Sequence, residues 1–172
     1  MDHKFEALVA EGRTLRFSNP NGAATAFSSA LVLADAEGDP SLQVRASIGL
    51  GQILRDSGNT VAATELYARA VILLRNLKDE QALASALRHL GEIWLDAGEA
   101  AKARPFLEEA LHIYRRHRET PPLVLANALR PIALLEETTG ANSIPTWTEA
   151  RELYRLAGVQ DGIDECDKHL AA

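Results

Sequence analysis

The sequence predicts an all-α protein made of consecutive helical hairpins, and three observations support this fold class. First, bulky residues recur every 40 positions, each followed three positions later by alanine. These pairs are Phe27 and Ala30, Tyr67 and Ala70, Leu107 and Ala110, and Trp147 and Ala150. Second, hydrophobic residues make up 47% of the chain but aromatic residues only 5%, which favours closely packed helices over strands. Third, Gly58 and Gly98, also 40 positions apart, supply breaks at which a hairpin can turn.

The first two predicted repeats span residues 3–38 and 41–78. In the first repeat, a helix over about residues 3–17 precedes a polar turn around Pro20, because proline and polar neighbours interrupt helices. In the second repeat, apolar residues at helical spacing stand on both sides of Gly58. Each repeat is therefore expected to contribute two helices.

The third repeat, residues 80–118, has the clearest helical pattern. Apolar residues of its first helix recur at steps of four, three and four, which places them on one helical face. They are Leu83, Leu87, Leu90 and Trp94, in a helix expected over residues 80–97. Gly98 ends that helix, and Glu99 starts the second one. Pro105 falls inside the second helix, so we expect a local bend or a later helix start there.

The fourth repeat, residues 122–158, departs from the pattern, and one more helix is expected over residues 160–171. Glu136 stands where the third repeat has Trp94, and Pro145 interrupts the start of the second helix. The last helix carries acidic residues at positions where the third repeat is apolar. We therefore expect it to cap the open end of the array.

The combination of small residues and turn glycines resembles the tetratricopeptide repeat. The third repeat carries this pattern at Leu87, Leu90-Gly91, Trp94, Gly98, Ala103, Leu107 and Ala110, and the second at Leu50-Gly51, Leu54, Gly58, Ala63, Tyr67 and Ala70. The resemblance implies a single domain over residues 1–172, a right-handed superhelical solenoid of about four antiparallel hairpins and a capping helix. The 40-residue repeats of this chain are longer than the usual tetratricopeptide unit of about 34 residues. In length they look like the repeats of bacterial signalling regulators and motor light chains.

In the tetratricopeptide family the first helix of each hairpin lines a concave surface where peptides bind. By alignment, the resemblance implies these partner-binding candidates: Arg13, Arg16, Arg45, Gln52, Arg55, Arg88, Glu92, Asn127 and Arg130. The arginines among them predict a groove that receives carboxylates through forked hydrogen bonds. Alternatively, these arginines are solvated or form ion pairs with acidic residues of the same helices.

Composition argues against several other classes of function. The formal net charge of -6 disfavours nucleic acid and anionic membranes as partners. No apolar run suits a signal peptide or a membrane span, and Cys166 is the only cysteine, so we expect a cytoplasmic protein without disulfides. The five histidines are scattered, and no nucleophile, metal set or phosphate loop converges. We therefore predict no enzyme activity, no bound metal and no cofactor.

The function predicted from these features is that of an adaptor that binds a peptide or a partner protein without chemistry. The arginines favour an acidic segment as the ligand. The alternative is a homo-oligomerisation or regulatory sensor module, in which the terminal hairpin or the convex face builds a homodimer. A mass that rises with concentration in light scattering would favour this alternative.

Overall fold

A computed structural model describes residues 2–171, and within this range the chain forms nine α-helices and no strand. The helices are α1 Asp2–Leu15, α2 Pro20–Glu37, α3 Pro40–Asp56, α4 Thr60–Leu77, α5 Glu80–Asp96, α6 Ala100–Arg116, α7 Pro122–Thr138, α8 Ile144–Ala157 and α9 Gln160–Leu170. The predicted all-α fold class is confirmed. None of these helices is long and apolar enough to cross a membrane. Residues 1 and 172 of the predicted domain lie outside the described residues.

Short polar side chains at 20-residue intervals start the helices α2 to α5. Asn19, Asp39, Asn59 and Asp79 each accept a backbone N–H from the first turn of the following helix, at 2.8–3.3 Å. These bonds satisfy donors that a helix leaves open at its N-terminus. Glu99 is next in the series, and its side chain makes no such bond to α6.

The turns that follow helices use residues with positive φ. Gly58 and Gly98 have φ values of 82° and 77°, as expected for glycines that end the first helix of a hairpin. Lys78, which ends α4, the second helix of its hairpin, also has a positive φ, of 58°. A side chain disfavours this conformation, and Lys78 is the one non-glycine residue in the range 2–171 that adopts it.

The later helix start expected at Pro105 is wrong. The helix α6 begins at Ala100 and continues through Pro105 to Arg116. Pro105 has no N–H to donate to the carbonyl of Ala101. Both residues are exposed, so water can satisfy that carbonyl and the helix continues.

The second helix of the fourth repeat begins one turn later than its counterparts. The helices α2, α4 and α6 begin 40 residues apart, whereas α8 begins at Ile144, four residues beyond the next position in that series. Pro145 occupies the first turn of α8, where a helix needs no N–H donor from proline. The preference of proline for this position therefore sets the start of α8.

Internal contacts divide the chain into two compact units, and the boundary falls within α5, between Ala86 and Leu87. Unit 1 contains α1 to α4 and the start of α5. Unit 2 contains the rest of α5 and the helices α6 to α9. A single domain of four repeats with a capping helix stays a prediction.

The alanines that repeat every 40 residues are buried in both units. Ala30, Ala70, Ala110 and Ala150 are each at most 1% exposed. The bulky residues three positions before them are at most 4% exposed. In unit 1, Ala30 belongs to a core cluster with Phe5, Phe27 and Leu50 from three different helices. Small and bulky side chains thus interlock where helices pack.

In unit 2, the helix α9 packs against α8 and covers Trp147. The imidazole of His169 stacks on the indole, with the ring centres 4.2 Å apart. Glu137 lies beside both rings: its Oε1 accepts from Trp147 Nε1 at 2.6 Å and lies 3.0 Å from His169 Nδ1. Trp147 is therefore a packing residue with a satisfied N–H.

Candidate functional site

Unit 1 contains a groove of about 370 Å³, here called the unit 1 groove. Three of the predicted partner-binding residues line it, Arg13 from α1 and Arg45 and Gln52 from α3. Its apolar lining consists mainly of Phe27, Val44, Ile48, Leu74 and Leu77. The groove thus combines an apolar floor with a polar rim.

Phe27 forms the floor of the unit 1 groove because two glycines leave room for its ring. A Cβ added at Gly12 of α1 would lie 2.6 Å from the ring, and one added at Gly49 of α3 would lie 2.2 Å from it. Neither distance is possible for a real side chain, so α1 and α3 approach the ring this closely only with glycine. The ring is consequently held between the two helices.

The two arginines at the rim of the unit 1 groove differ in their pairing. Arg45 donates to both carboxylate oxygens of Glu6, at 2.6 and 2.8 Å, and its guanidinium lies 5.1 Å from the centre of the Phe5 ring. The hydrogen bond from Arg45, together with the charges of Arg45 and Arg13, lowers the pKa of Glu6. Arg13 forms no hydrogen bond or ion pair with the described residues. Its guanidinium is available to a ligand.

Two other predicted residues of unit 1 do not line this groove. Arg16, in the turn after α1, donates from Nε and Nη2 to Oδ2 of Asp56 in α3, at 3.1 and 2.9 Å. Arg55 lies half-buried in the last turn of α3 and has interactions of its own. The ion pair of Arg45 joins α3 to α1, and that of Arg16 joins the turn after α1 to α3. Neither connects residues of one helix, as the alternative interpretation expected.

Unit 2 contains a polar cavity of about 390 Å³, here called the unit 2 cavity. The other four predicted residues line it, Arg88 and Glu92 from α5 and Asn127 and Arg130 from α7. Further lining residues come from α8 and α9. Seven of the nine residues chosen by alignment therefore line a groove or cavity, three in unit 1 and four in unit 2.

Carboxylates neutralise both arginines of the unit 2 cavity. Arg130 donates from Nε and Nη2 to the two oxygens of Glu165 in α9, both at 2.7 Å. This hydrogen bond, reinforced by the opposite charges, raises the pKa of Arg130 and lowers that of Glu165. Arg88 donates to Glu92 one turn along α5, and its Nη2 lies 2.9 Å from Nε2 of His89. Neither arginine carries an uncompensated charge.

Sequence reasoning missed the residues that the second helices and α9 contribute. In the unit 2 cavity, Tyr154 of α8 donates its hydroxyl to Oδ1 of Asn127 at 2.9 Å, and burial raises its pKa to about 12. In the unit 1 groove, Leu74 and Leu77 come from α4. Of these residues, Glu165 could have been suspected from the sequence as a partner of Arg130, because it lies about one repeat length beyond Arg130 and has the opposite charge.

Metal ligands and the cysteine thiol are the remaining groups of the described residues that bear on chemistry. Among them, no group of three or more histidine, cysteine or acidic side chains could hold a metal ion. Cys166 is fully buried, and burial, followed by the negative charges of its neighbours, raises its pKa to about 11. Such a thiol stays protonated near neutral pH and is a poor nucleophile.

Known proteins resemble this chain in sequence pattern and in fold. Residues 42–116 match the family model of the tetratricopeptide repeat. No curated protein matches the sequence. A structure of TPR-like repeats, which are nearly identical to one another and come from a putative kinesin light chain of Podosopora anserina, is 14% identical to this chain. The two align with a TM-score of 0.63 over 99% of this chain and 96% of that chain. BtubC (BKLC) from P. vanneervenii is 15% identical, with a TM-score of 0.56 over 99% of this chain and 89% of that chain. The MamA protein is 19% identical, with a TM-score of 0.55 over 98% and 90%.

The helical hairpins and these similarities define the chain as an all-α repeat protein. Residues 42–116 match the tetratricopeptide repeat, and the TPR-like repeat structures share the fold of the chain. The predicted resemblance to the tetratricopeptide repeat is thus confirmed. Tetratricopeptide repeats are typically non-catalytic scaffolds, and the fold supports a general protein–protein interaction module.

Proposed function

We propose that this chain is a protein-interaction module whose unit 1 groove binds a peptide segment of a partner protein. One observation carries the proposal. Arg13, an exposed cation without an ion pair among the described residues, borders an apolar floor that includes Phe27 and Ile48. A carboxylate of the ligand would pair with Arg13 through charge-assisted hydrogen bonds. An adjacent apolar side chain of the ligand would fill the groove.

The charges at the rim favour a ligand with one acidic residue over a long acidic run. Arg45 already pairs with Glu6, so it offers less to an incoming carboxylate. Asp79 also lines the groove and would repel a second acidic group. Gln52 supplies an amide that can donate to or accept from the ligand backbone. The preferred segment therefore places a single aspartate or glutamate next to an apolar residue.

Peptide display against the purified protein tests this proposal. Enriched peptides should pair an acidic residue with a neighbouring aliphatic or aromatic one. Arg13→Glu should weaken binding of an enriched peptide at least tenfold, because hydrogen bonds to charged groups contribute about 1.5–3 kcal/mol and each ~1.4 kcal/mol is tenfold in affinity. Isothermal titration calorimetry measures the change.

Arg118→Glu is the matched control, since it reverses the same charge at an exposed position that does not line the groove. Its affinity for the enriched peptide should equal that of the unaltered protein. Ile48→Ser tests the apolar floor separately and should also weaken binding. Enriched peptides without acidic residues, or unchanged affinity in Arg13→Glu, would contradict the acidic preference.

A further inference from the structure

The hairpin of α7 and α8 departs from the other repeats at two aligned positions, one in each of its helices, which are apolar in the second and third repeats. The residues at these positions are Leu54 and Leu66 in the second repeat, Trp94 and Phe106 in the third, and Glu136 and Thr146 in the fourth. In the second repeat, both leucines pack against the core of unit 1. Polar residues at packing positions cost stability, and such breaks concentrate at functional sites.

A cavity of about 350 Å³ lies beside these two residues, among α6, α7 and α8, and is here called the Glu136 cavity. Its apolar wall consists of Leu111, Leu129 and Ile132. The polar residues that line it are Glu108, His112, Arg115, Glu136 and Thr146. A cavity of this size can hold one long side chain of another molecule. It is separate from the unit 1 groove, so its occupancy does not depend on the proposed function.

Glu136 lines this cavity, and one oxygen of its carboxylate is unsatisfied. Its Oε2 is buried and has no hydrogen-bond partner among the described residues. Buried polar atoms are almost always paired, because an unpaired one keeps the full cost of losing water. Arg115, which lines the same cavity, donates to Glu149, and Arg104 donates to Glu108, so neither arginine pairs with Glu136.

The third repeat shows how an equivalent position is covered within the chain. There the ammonium of Lys102 lies 4.7 Å from the centre of the Trp94 ring. Forty residues after Lys102 the chain has Asn142, a neutral side chain that accepts the backbone N–H of Ile144. The fourth repeat therefore replaces the aromatic residue by an acid and also lacks the lysine.

We propose that the Glu136 cavity binds an ammonium or guanidinium group on an alkyl stem, as in a lysine or arginine side chain. The cation pairs with the carboxylate of Glu136, and the hydroxyl of Thr146 accepts a further N–H. The stem lies against Leu129 and Ile132, as the stems of basic side chains do on apolar surfaces. The irregular hairpin is thus a binding site for an aliphatic cation.

Titration of isotope-labelled protein by nuclear magnetic resonance tests this site. Nα-acetyl-lysine amide and 1,5-diaminopentane represent the side chain and a free amine. At least one should cause saturable shifts at the Thr146 amide and at the methyl groups of Leu129 and Ile132. The tighter of the two probes indicates the source of the cation. Nα-acetyl-norleucine amide has the stem without the charge and should cause no saturable shift.

Glu136→Gln removes the charge with little change in shape, and it should weaken binding of the cationic probes at least tenfold. Glu65→Gln removes the same charge from an exposed position of α4 and should bind them as the unaltered protein does. The proposal is overturned if neither cation causes saturable shifts, if the norleucine probe binds equally well, or if Glu136→Gln binds with unchanged affinity.

Thermal unfolding supplies a second readout that does not depend on a probe. Glu136→Leu restores the apolar residue of the second repeat and should raise the unfolding midpoint while abolishing binding of the cations. A lower midpoint would show that the carboxylate is satisfied in the folded protein, and this would overturn the inference.

Discussion

Gly38, Lys78 and Gly158 are separated by 40 and 80 residues, and all three adopt the left-handed conformation at the end of a second helix. The three turns thus share a backbone conformation, which Arg118 at the intervening position does not adopt. Glycine adopts this conformation without steric cost, whereas the Cβ of lysine approaches the neighbouring carbonyl. Lys78 is therefore a strained residue in a conformation that glycine adopts at positions 38 and 158.

Lys78→Gly is expected to stabilise the protein by about 0.5–1 kcal/mol, because the steric cost of the left-handed lysine disappears. Urea denaturation measures the free energy of unfolding. Lys78→Ala is the control, since it removes the side chain but keeps the Cβ, and it should give no such gain. Equal stabilisation by both substitutions would mean that the lysine chain, and not its backbone, is unfavourable.

At the level of the helices, the N-termini fall into two groups. The helices α2 to α5 have a side-chain cap, whereas α6, α7 and α9 have no hydrogen bond from a capping side chain. In α8 the side chain of Asn142 accepts the N–H of Ile144. An uncapped helix leaves its first N–H groups to water. The first turns in most of unit 2 should consequently open more easily than those in unit 1.

Glu99→Asp is expected to extend the capping series to α6 and to stabilise the protein by about 0.5–1 kcal/mol, since aspartate is a preferred N-cap residue. Hydrogen exchange in the first turn of α6 should slow as well. Asn59→Ala is the reciprocal control and should cost about 1 kcal/mol through loss of an existing cap. If Asn59→Ala destabilises but Glu99→Asp changes neither quantity, the start of α6 is not limited by capping.

The helices were largely predictable because their signals are local. The predicted helix over residues 80–97 matches α5, Glu80–Asp96, since apolar spacing and Gly98 determine it. The start of α8 was not predictable from the 40-residue period, because Pro145 shifts it by one turn. The spacing and opposite charges of Arg130 and Glu165 suggest their ion pair but do not determine it, since the direction of a long side chain depends on neighbours that only the folded chain provides.

Across the whole molecule, ion pairs connect residues about one repeat apart. Glu6 pairs with Arg45, Arg16 with Asp56, Asp35 with Arg69, Arg115 with Glu149, and Arg130 with Glu165. Single exposed pairs contribute little. As a set they connect successive repeats within each unit.

Glu165→Gln is expected to lower the free energy of unfolding by about 0.5–1 kcal/mol near neutral pH, a small value because both members of the pair are partly exposed. Its hydrogen bond with Arg130 lowers the pKa of Glu165 below the ordinary 4.5. The stabilisation is therefore fully present above that value and is lost as the pH falls through the folded-state pKa. Urea denaturation at decreasing pH should show the two proteins converging, and a difference that persists in acid would contradict this origin.

The stacking of His169 on Trp147 has a practical consequence for studies of α9. The chain has only two tryptophans, so Trp94→Phe leaves the buried indole as the sole tryptophan emitter. Departure of α9 would wet that indole and shift its emission to longer wavelength. Stopped-flow fluorescence could then time the opening of the last helix without an attached dye.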